Sequence, residues 1–306
     1  MKISIIGAGN VGSISALRVA EAGLGEVVLV DVVKGMAEGK SLDMEDARHS
    51  LKLNYNIRGT EDISGIAKSD IVVVTAGLAR KPGMTREELL QKNAAILKDV
   101  CLNIKKHTPE AVVVIVTNPL DLMTYFALKV TGFSPGRMFG MGVTLDGSRF
   151  ANLISKELQA EVTDISACVI GSHGEGMLPL PRFTKVKGVS LDELVDDSKA
   201  ESLVKRTISR GQEIVTLLGS GSAYFAPSAA IAEIVKCVAK DEKKTLGVSA
   251  YLNGEYGIKD VCIGVPCRLG KDGIEKIVEL DLDAQEKKAF IASAENIRLL
   301  LKQLPL

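Results

Sequence analysis

The 306-residue sequence predicts an α/β protein, with a doubly wound parallel sheet in its N-terminal half and an α+β domain after it. Three observations predict this. Short apolar, β-branched runs alternate with longer stretches of helical spacing, as strands and crossover helices do. The first run breaks at a glycine-rich turn that opens a helix. Past residue 142 the alternation gives way to runs of strands beside runs of helices.

Residues 2–6 are apolar and β-branched, as a strand buried on both faces should be, and they stop at Gly7. Ala16, Leu17, Ala20 and Ala22 recur near helical spacing, and Gly23 and Gly25 end that helix. A second strand covers 26–31, a helix 35–49 and a short strand 55–58. Strands at 69–76 and 111–117 flank a helix at 86–107; a helix at 120–130 and the apolar 138–141 complete a six-strand half. Parallel strands joined by right-handed crossovers follow from that order. Beyond Gly142 we expect a helix at 146–158, strands at 165–170 and 177–183, and helices at 196–218 and 226–239. Strands at 245–252 and 261–269 and a helix at 283–302 follow. The expected division is 1–142 and 143–306, although no Pro/Gly/Ser-rich linker marks it.

Apolar residues make up 46% and charged residues 25%, an ordinary globular composition, and the 38 basic and 38 acidic side chains cancel. That balance offers no electrostatic reason to expect nucleic acid or an acidic membrane surface. No apolar run approaches membrane-spanning length and the sequence begins directly in the motif strand, so we expect a cytoplasmic protein. Cys101, Cys168, Cys237, Cys262 and Cys267 are scattered among apolar neighbours and read as reduced core residues. Cys262 and Cys267 have no histidine nearby, so no metal site is expected.

In Gly7-Ala-Gly-Asn-Val-Gly12 the first glycine permits a tight turn, the second lets the backbone approach a diphosphate, and the third allows close helix-on-strand packing. Asp31 ends the next strand nineteen residues after Gly12, where an adenosine ribose is gripped in a Rossmann-type sheet. Its charge would repel a 2′-phosphate, and Val32 and Val33 offer no arginine to receive one, which points to NAD. Residues 77–86 carry Arg80 and Arg86 in a Gly/Pro-containing loop that reads either as a lid over an anion or as a solvated basic loop. Asp146 and Arg149 share one face of a helix. His173 lies in a glycine-rich turn after an apolar strand, a position suited to acid–base work, whereas His49 and His107 sit at helix ends as surface residues.

Gly7-Ala-Gly-Asn-Val-Gly12, Ala79-Arg-Lys-Pro-Gly-Met-Thr-Arg86, Thr117-Asn-Pro-Leu-Asp121, Leu145-Asp-Gly-Ser-Arg149 and Gly171-Ser-His-Gly-Glu175 occur in this order along nearly the whole chain. The pattern resembles the lactate/malate dehydrogenase family, and the form of the arginine loop resembles its lactate-dehydrogenase-like malate dehydrogenase branch. The resemblance implies reversible oxidation of malate by NAD, with His173 as proton acceptor and donor, Asp146 orienting it, and Arg149 clamping the C1 carboxylate. It further implies that Arg86 polarises the carbonyl, Arg80 pairs with the C4 carboxylate, Asn118 bridges cofactor and substrate, and Ser222 lines the pocket. Cofactor contacts are implied at Gly7, Gly9, Asn10, Val11, Gly12, Asp31, Thr75, Ala76, Gly77, Asn93, Thr117 and Asn118. A homo-oligomer is implied, a tetramer before a dimer. A lactate or other 2-hydroxy-acid dehydrogenase, or a silent NAD-binding protein on the same fold, stays open at this point.

Overall fold

A computed structural model describes residues 1–78 and 85–305, and of Arg86 the main chain alone. The N-terminal half runs β1 (Lys2–Ile6), α1 (Asn10–Glu21), β2 (Glu26–Val30), α2 (Met36–Leu51), β3 (Asn56–Thr60) and β4 (Ile71–Val74). It continues through α3 (Arg86–His107), β5 (Val112–Ile115), α4 (Leu120–Thr131) and β6 (Met138–Gly140). The six strands are parallel, as the alternating pattern predicts, and stand in the order β3-β2-β1-β4-β5-β6. The order reverses between β1 and β4, which leaves a crevice at their carboxyl ends.

The second half contains α5 (Val143–Leu158), β7 (Ile165–Ser166), β8 (Val169–Gly171), β9 (Met177–Pro179), β10 (Lys185–Val186), β11 (Val189–Ser190) and the single turn α6 (Leu191–Leu194). The long helices α7 (Asp197–Leu218) and α8 (Phe225–Ala239) follow, then β12 (Thr245–Asn253), β13 (Lys259–Gly270), β14 (Gly273–Ile277) and α9 (Ala284–Leu301). The helix expected from Asp146 starts three residues earlier, at Val143, so Asp146 stands inside its first turn.

Two expected strands are corrected. Residues 165–170 do not form one strand: β7 joins a small sheet with β10 and β11, while β8 pairs with β9 and β13 in the main sheet. Cys168 at the break donates its N–H to the Thr184 hydroxyl instead of to a ladder. Residues 177–183 hold a strand only to Pro179, and Pro181, which has no N–H to give, opens a 3₁₀ turn at 181–183. The short elements β10, β11, α6 and β14 carry too few residues to show a period.

The second half does not build a separate main sheet. Antiparallel β12 adds to β6 through the Ser249–Gly140 pairing and carries β13, β8, β9 and β14 with it, giving an 11-stranded sheet among the described residues. The seam is close-packed. A Cβ on Gly140 would come within 2.4 Å of Thr124 Oγ1 and 3.0 Å of Ser249 Cβ. One core cluster spans the seam, from Ile3 and Val73 to Val248 and Val265, and a smaller one gathers Phe150, Leu153, Val169 and Leu203 around α5. Burial pushes the Cys101 and Cys168 thiols up to about 12, consistent with inert core residues, and all five cysteines are free. Gly140→Ala is expected to lower unfolding free energy by about 1–3 kcal/mol, the range for overpacking; an unchanged urea midpoint would mean that the seam can yield.

Candidate active site

The first cradle forms where β1 meets α1. Gly7 takes φ +106° as the chain leaves β1, and its N–H donates to the Val30 carbonyl at 2.7 Å. A Cβ at Gly12 would lie 1.8 Å from the Gly7 carbonyl oxygen, so only glycine lets α1 begin this close to the strand. Gly9, exposed at the N-terminus of α1, has no side-chain cap, and a Cβ there would meet nothing within 4 Å. Helix α1 therefore opens with uncapped amides beside free space, Asn10 and Val11 forming its first turn.

Asp31 follows β2 and reaches back to this turn. Its Oδ2 accepts the Ala8 N–H at 2.6 Å and its Oδ1 the Val33 N–H at 2.9 Å. Lys40 of α2 donates to the Ala8 carbonyl at 2.6 Å and the Ser13 hydroxyl at 3.1 Å, so the Ala8 peptide is held at both its N–H and its carbonyl. The Asp31 carboxylate is partly exposed and keeps lone pairs for sugar hydroxyls. The open space at Gly9, the uncapped amides and this carboxylate fit a dinucleotide, with its diphosphate at α1 and a ribose at Asp31.

The next strand ends are tied together. Thr75 donates its hydroxyl to the Gly7 carbonyl at 3.0 Å, and Thr117 donates to the Ala76 carbonyl at 2.6 Å. Gly77 is exposed beside them, and a Cβ there would sit 2.8 Å from Thr117 Cγ2. Asn93 is 1% exposed; its Oδ1 accepts the Leu78 N–H, and its Nδ2 donates to the Leu78 and Asn118 carbonyls. Its amide thus joins the segment after β4 to the end of β5. Asn118 is exposed at that strand end, before the cis peptide to Pro119.

The second cluster lies where α5 meets the turn after β8. Asp146 is 0% exposed and accepts from two side chains: its Oδ2 is 2.8 Å from His173 Nδ1, and its Oδ1 accepts from Arg149 Nη1 at 3.1 Å. A carboxylate only accepts, so Nδ1 carries the hydrogen and Nε2 is left to exchange a proton. Burial alone would lower the His173 pKa; the charge of Asp146, its hydrogen bond and the charge of Asp121 outweigh it and raise the pKa above 6.5. Arg149 Nε is buried without a hydrogen-bond partner among the described residues, a costly arrangement that an incoming carboxylate would relieve. Gly211 of α7 lies beside this guanidinium, where a Cβ would stand in ordinary contact at 3.4 Å from Arg149 Nη1.

Tertiary contacts also enlist residues to which the motif reading assigns no role. Asp121 Oδ2 accepts the His173 N–H at 2.8 Å and its Oδ1 the Ser249 hydroxyl at 2.6 Å. The Ser293 hydroxyl of α9 accepts the Ser172 N–H at 3.0 Å and donates to the Gly176 carbonyl at 2.9 Å, tying both ends of the histidine turn. A lone acid among the apolar residues of α4 was a readable sign for Asp121; Ser249, Ser293 and Gly211 carried none. Ser222 is exposed between α7 and α8, and among the described residues no hydrogen bond joins it to His173, Asp146 or Arg149. Arg80 lies outside the described residues, as does the side chain of Arg86, whose main chain starts α3 behind a Thr85–Glu88 capping box. His49 and His107 sit at the ends of α2 and α3, as expected.

Comparison with known proteins agrees with this geometry. Residues 1–140 match the NAD binding domain of lactate/malate dehydrogenase and residues 143–304 match its alpha/beta C-terminal domain. A malate dehydrogenase of Methanosarcina mazei is 49% identical over 298 residues, 97% of each chain. The structure of malate dehydrogenase from Salinibacter ruber superposes with a TM-score of 0.95 at 42% identity, covering 99% of this chain and 97% of that one. A lactate dehydrogenase from Cryptosporidium parvum, complexed with lactic acid and nicotinamide adenine dinucleotide, gives 0.95 at 36% identity, covering 99% and 97%. With both domain families matched over nearly its full length, this chain belongs to the lactate/malate dehydrogenase family.

Proposed function

We infer that this chain is an NAD-dependent malate dehydrogenase, interconverting (S)-malate and oxaloacetate. The observation that carries the chemistry is the buried Asp146 holding both His173 and Arg149, in a chain whose glycine cradle fits a dinucleotide. The similarity to proteins named malate dehydrogenase supports the substrate. We take the division as a cofactor half, 1–142, and a substrate half, 143–306.

The nicotinamide ring, when bound, supplies the two-electron acceptor for the carbinol carbon. Gly7, Gly9, Asn10, Val11 and Gly12 would hold the diphosphate and Asp31 a ribose, with Thr75, Ala76, Gly77, Asn93, Thr117 and Asn118 shaping the rest of the cofactor cleft. Arg149 clamps the C1 carboxylate through its free Nε edge, a bidentate fit that lysine cannot match. His173 Nε2 takes the hydroxyl proton in oxidation and returns it in reduction, while Asp146 steadies the imidazolium. Arg86 polarises the carbonyl as charge develops on its oxygen. Arg80 pairs with the C4 carboxylate, Asn118 hydrogen-bonds the substrate from the cofactor side, and Ser222 lines the pocket mouth.

A lactate dehydrogenase among the similar structures keeps a 2-hydroxy-acid alternative in view, and Arg80 separates the two. With pyruvate its guanidinium would be left unpaired in a closed site. Arg80→Gln is expected to erode the oxaloacetate-to-pyruvate preference in kcat/KM at least about tenfold, near 1.4 kcal/mol. An unaltered ratio in a steady-state assay of both substrates with NADH and NADPH would sink the assignment.

Reduction requires protonated His173, so its rate should fall as pH rises through the histidine's raised pKa, whereas oxidation should gain over the same interval. His173→Asn should abolish both limbs while NADH still binds by fluorescence titration; limbs that persist would refute the role.

We further propose a homo-oligomer, a tetramer before a dimer, and a cytoplasmic location consistent with five unpaired cysteines. No helix among the described residues is long and apolar enough to cross a membrane. Leu217 is 81% exposed and Phe225 63%, and α2 buries only Ala37 and Ser41, leaving outward surface for a second copy. Leu217→Glu should shift the sedimentation profile toward smaller species; an unchanged profile would remove this face from the interface.

A further inference from the structure

We propose that Asp121 is a second positioning residue for His173, holding its main chain and placing a second buried negative charge beside its ring. The proposal rests on the reading of His173 as the proton-exchanging group. Asp121 occupies the first turn of α4, is 4% exposed, and has a hydrogen bond on each oxygen. Its Oδ2 accepts the backbone N–H of His173 at 2.8 Å, so the carboxylate fixes the residue from which the imidazole projects. Its Oδ1 accepts from Ser249 Oγ at 2.6 Å, and Ser249 is 0% exposed at the β6–β12 pairing.

The histidine is therefore held twice by acids from different helices. Asp146 of α5 fixes ring orientation through Nδ1, and Asp121 of α4 fixes where the ring begins. Ser293 of α9 holds the flanking Ser172 and Gly176 peptides but carries no charge. Among the described residues, the charges that act most on His173 are Asp146 and Arg149 from α5 and Asp121 from α4, Glu175 lies two residues further along the same turn, and Asp121 also acts on the buried Cys262 of β13; β12 contributes the neutral Ser249. Arg149 opposes the imidazolium, and the two carboxylates favour it. The Asp121 pKa is raised, by burial first and by the nearby Asp146 charge, and the hydrogen bonds from Ser249 and the His173 N–H, with the charge of His173, offset this only in part. Both of its oxygens meet donors, which suits the ionised form.

A purely structural Asp121 and a charge-supplying one differ in what the asparagine variant does. Asp121→Asn keeps a carbonyl oxygen to accept the His173 N–H and removes the charge. The experiment follows oxaloacetate reduction by the full-length protein with NADH from acid to alkaline pH, alongside NADH affinity and thermal melting. In the parent protein the alkaline limb should be present, and His173→Asn should abolish it; if the parent shows no such limb, the histidine reading itself fails. With that limb established, Asp121→Asn is expected to move it to lower pH by about one unit, the usual scale for losing one nearby opposite charge. The value of kcat at neutral pH should fall several-fold more than any change in NADH affinity. Ser249→Ala, which retains the charge but withdraws one stabilising hydrogen bond, should move the limb the same way by less, and it serves alone if Asp121→Asn does not fold. A limb that stays in place in whichever variant folds, whether or not activity falls, would reduce Asp121 to scaffold and overturn the proposal.

Discussion

One buried carboxylate organises the catalytic half of this protein. Asp146 has no exposed surface, yet a histidine and an arginine lean on its two oxygens. A buried charge is tolerable only while paired, and removing one partner of such a pair typically costs about 3–5 kcal/mol. The constraint works in both directions. The carboxylate needs the arginine and the histidine, and both take from it an orientation that leaves His173 Nε2 and Arg149 Nε without a bond to Asp146. Its place follows from α5 starting at Val143, directly behind β6, so that the first helical turn lies against the turn after β8.

The β6–β12 join explains how two differently patterned halves present a single site. Ser249 pairs with Gly140 across it, and glycine at 140 lets the two strands and α4 approach closely. Three helices then meet the histidine turn from separate directions: α4 through Asp121, α5 through Asp146 and α9 through Ser293. Each contact joins residues more than twenty positions apart, the longest reaching from Ser172 to Ser293. Displacing any of those helices would move the His173 ring relative to the glycine turn after β1.

Much of the architecture was legible because its signals are local. Strands β1, β2, β4 and β5 of the parallel half are apolar runs, and α3 follows its period from Arg86 to His107 between a capping box and a basic last turn. Glycine roles were legible for the same reason, since Gly7 and Gly12 answer to a turn angle and a contact within six residues. The misreadings came where apolar content is high but pairing is decided elsewhere. Residues 165–170 look like one strand, yet Cys168 bonds to Thr184 and the two halves enter different sheets. Asn93 was legible as part of the cofactor side, but its hydrogen bonds to Leu78 and to the Asn118 carbonyl were not.

By itself the sequence determined the parallel, doubly wound class, the dinucleotide turn and the acid at Asp31, which rest on neighbours within a turn or a strand, while His173, Asp146 and Arg149 were singled out by the order of motifs along the whole chain. Only the tertiary structure decided that Asp146 serves both side chains, that Asp121 and Ser249 hold the histidine's main chain, that Lys40 secures the glycine turn, and that the second half extends the first half's sheet. Those are contacts between groups far apart in the chain, formed because buried charges and buried N–H groups must find partners wherever folding brings them together.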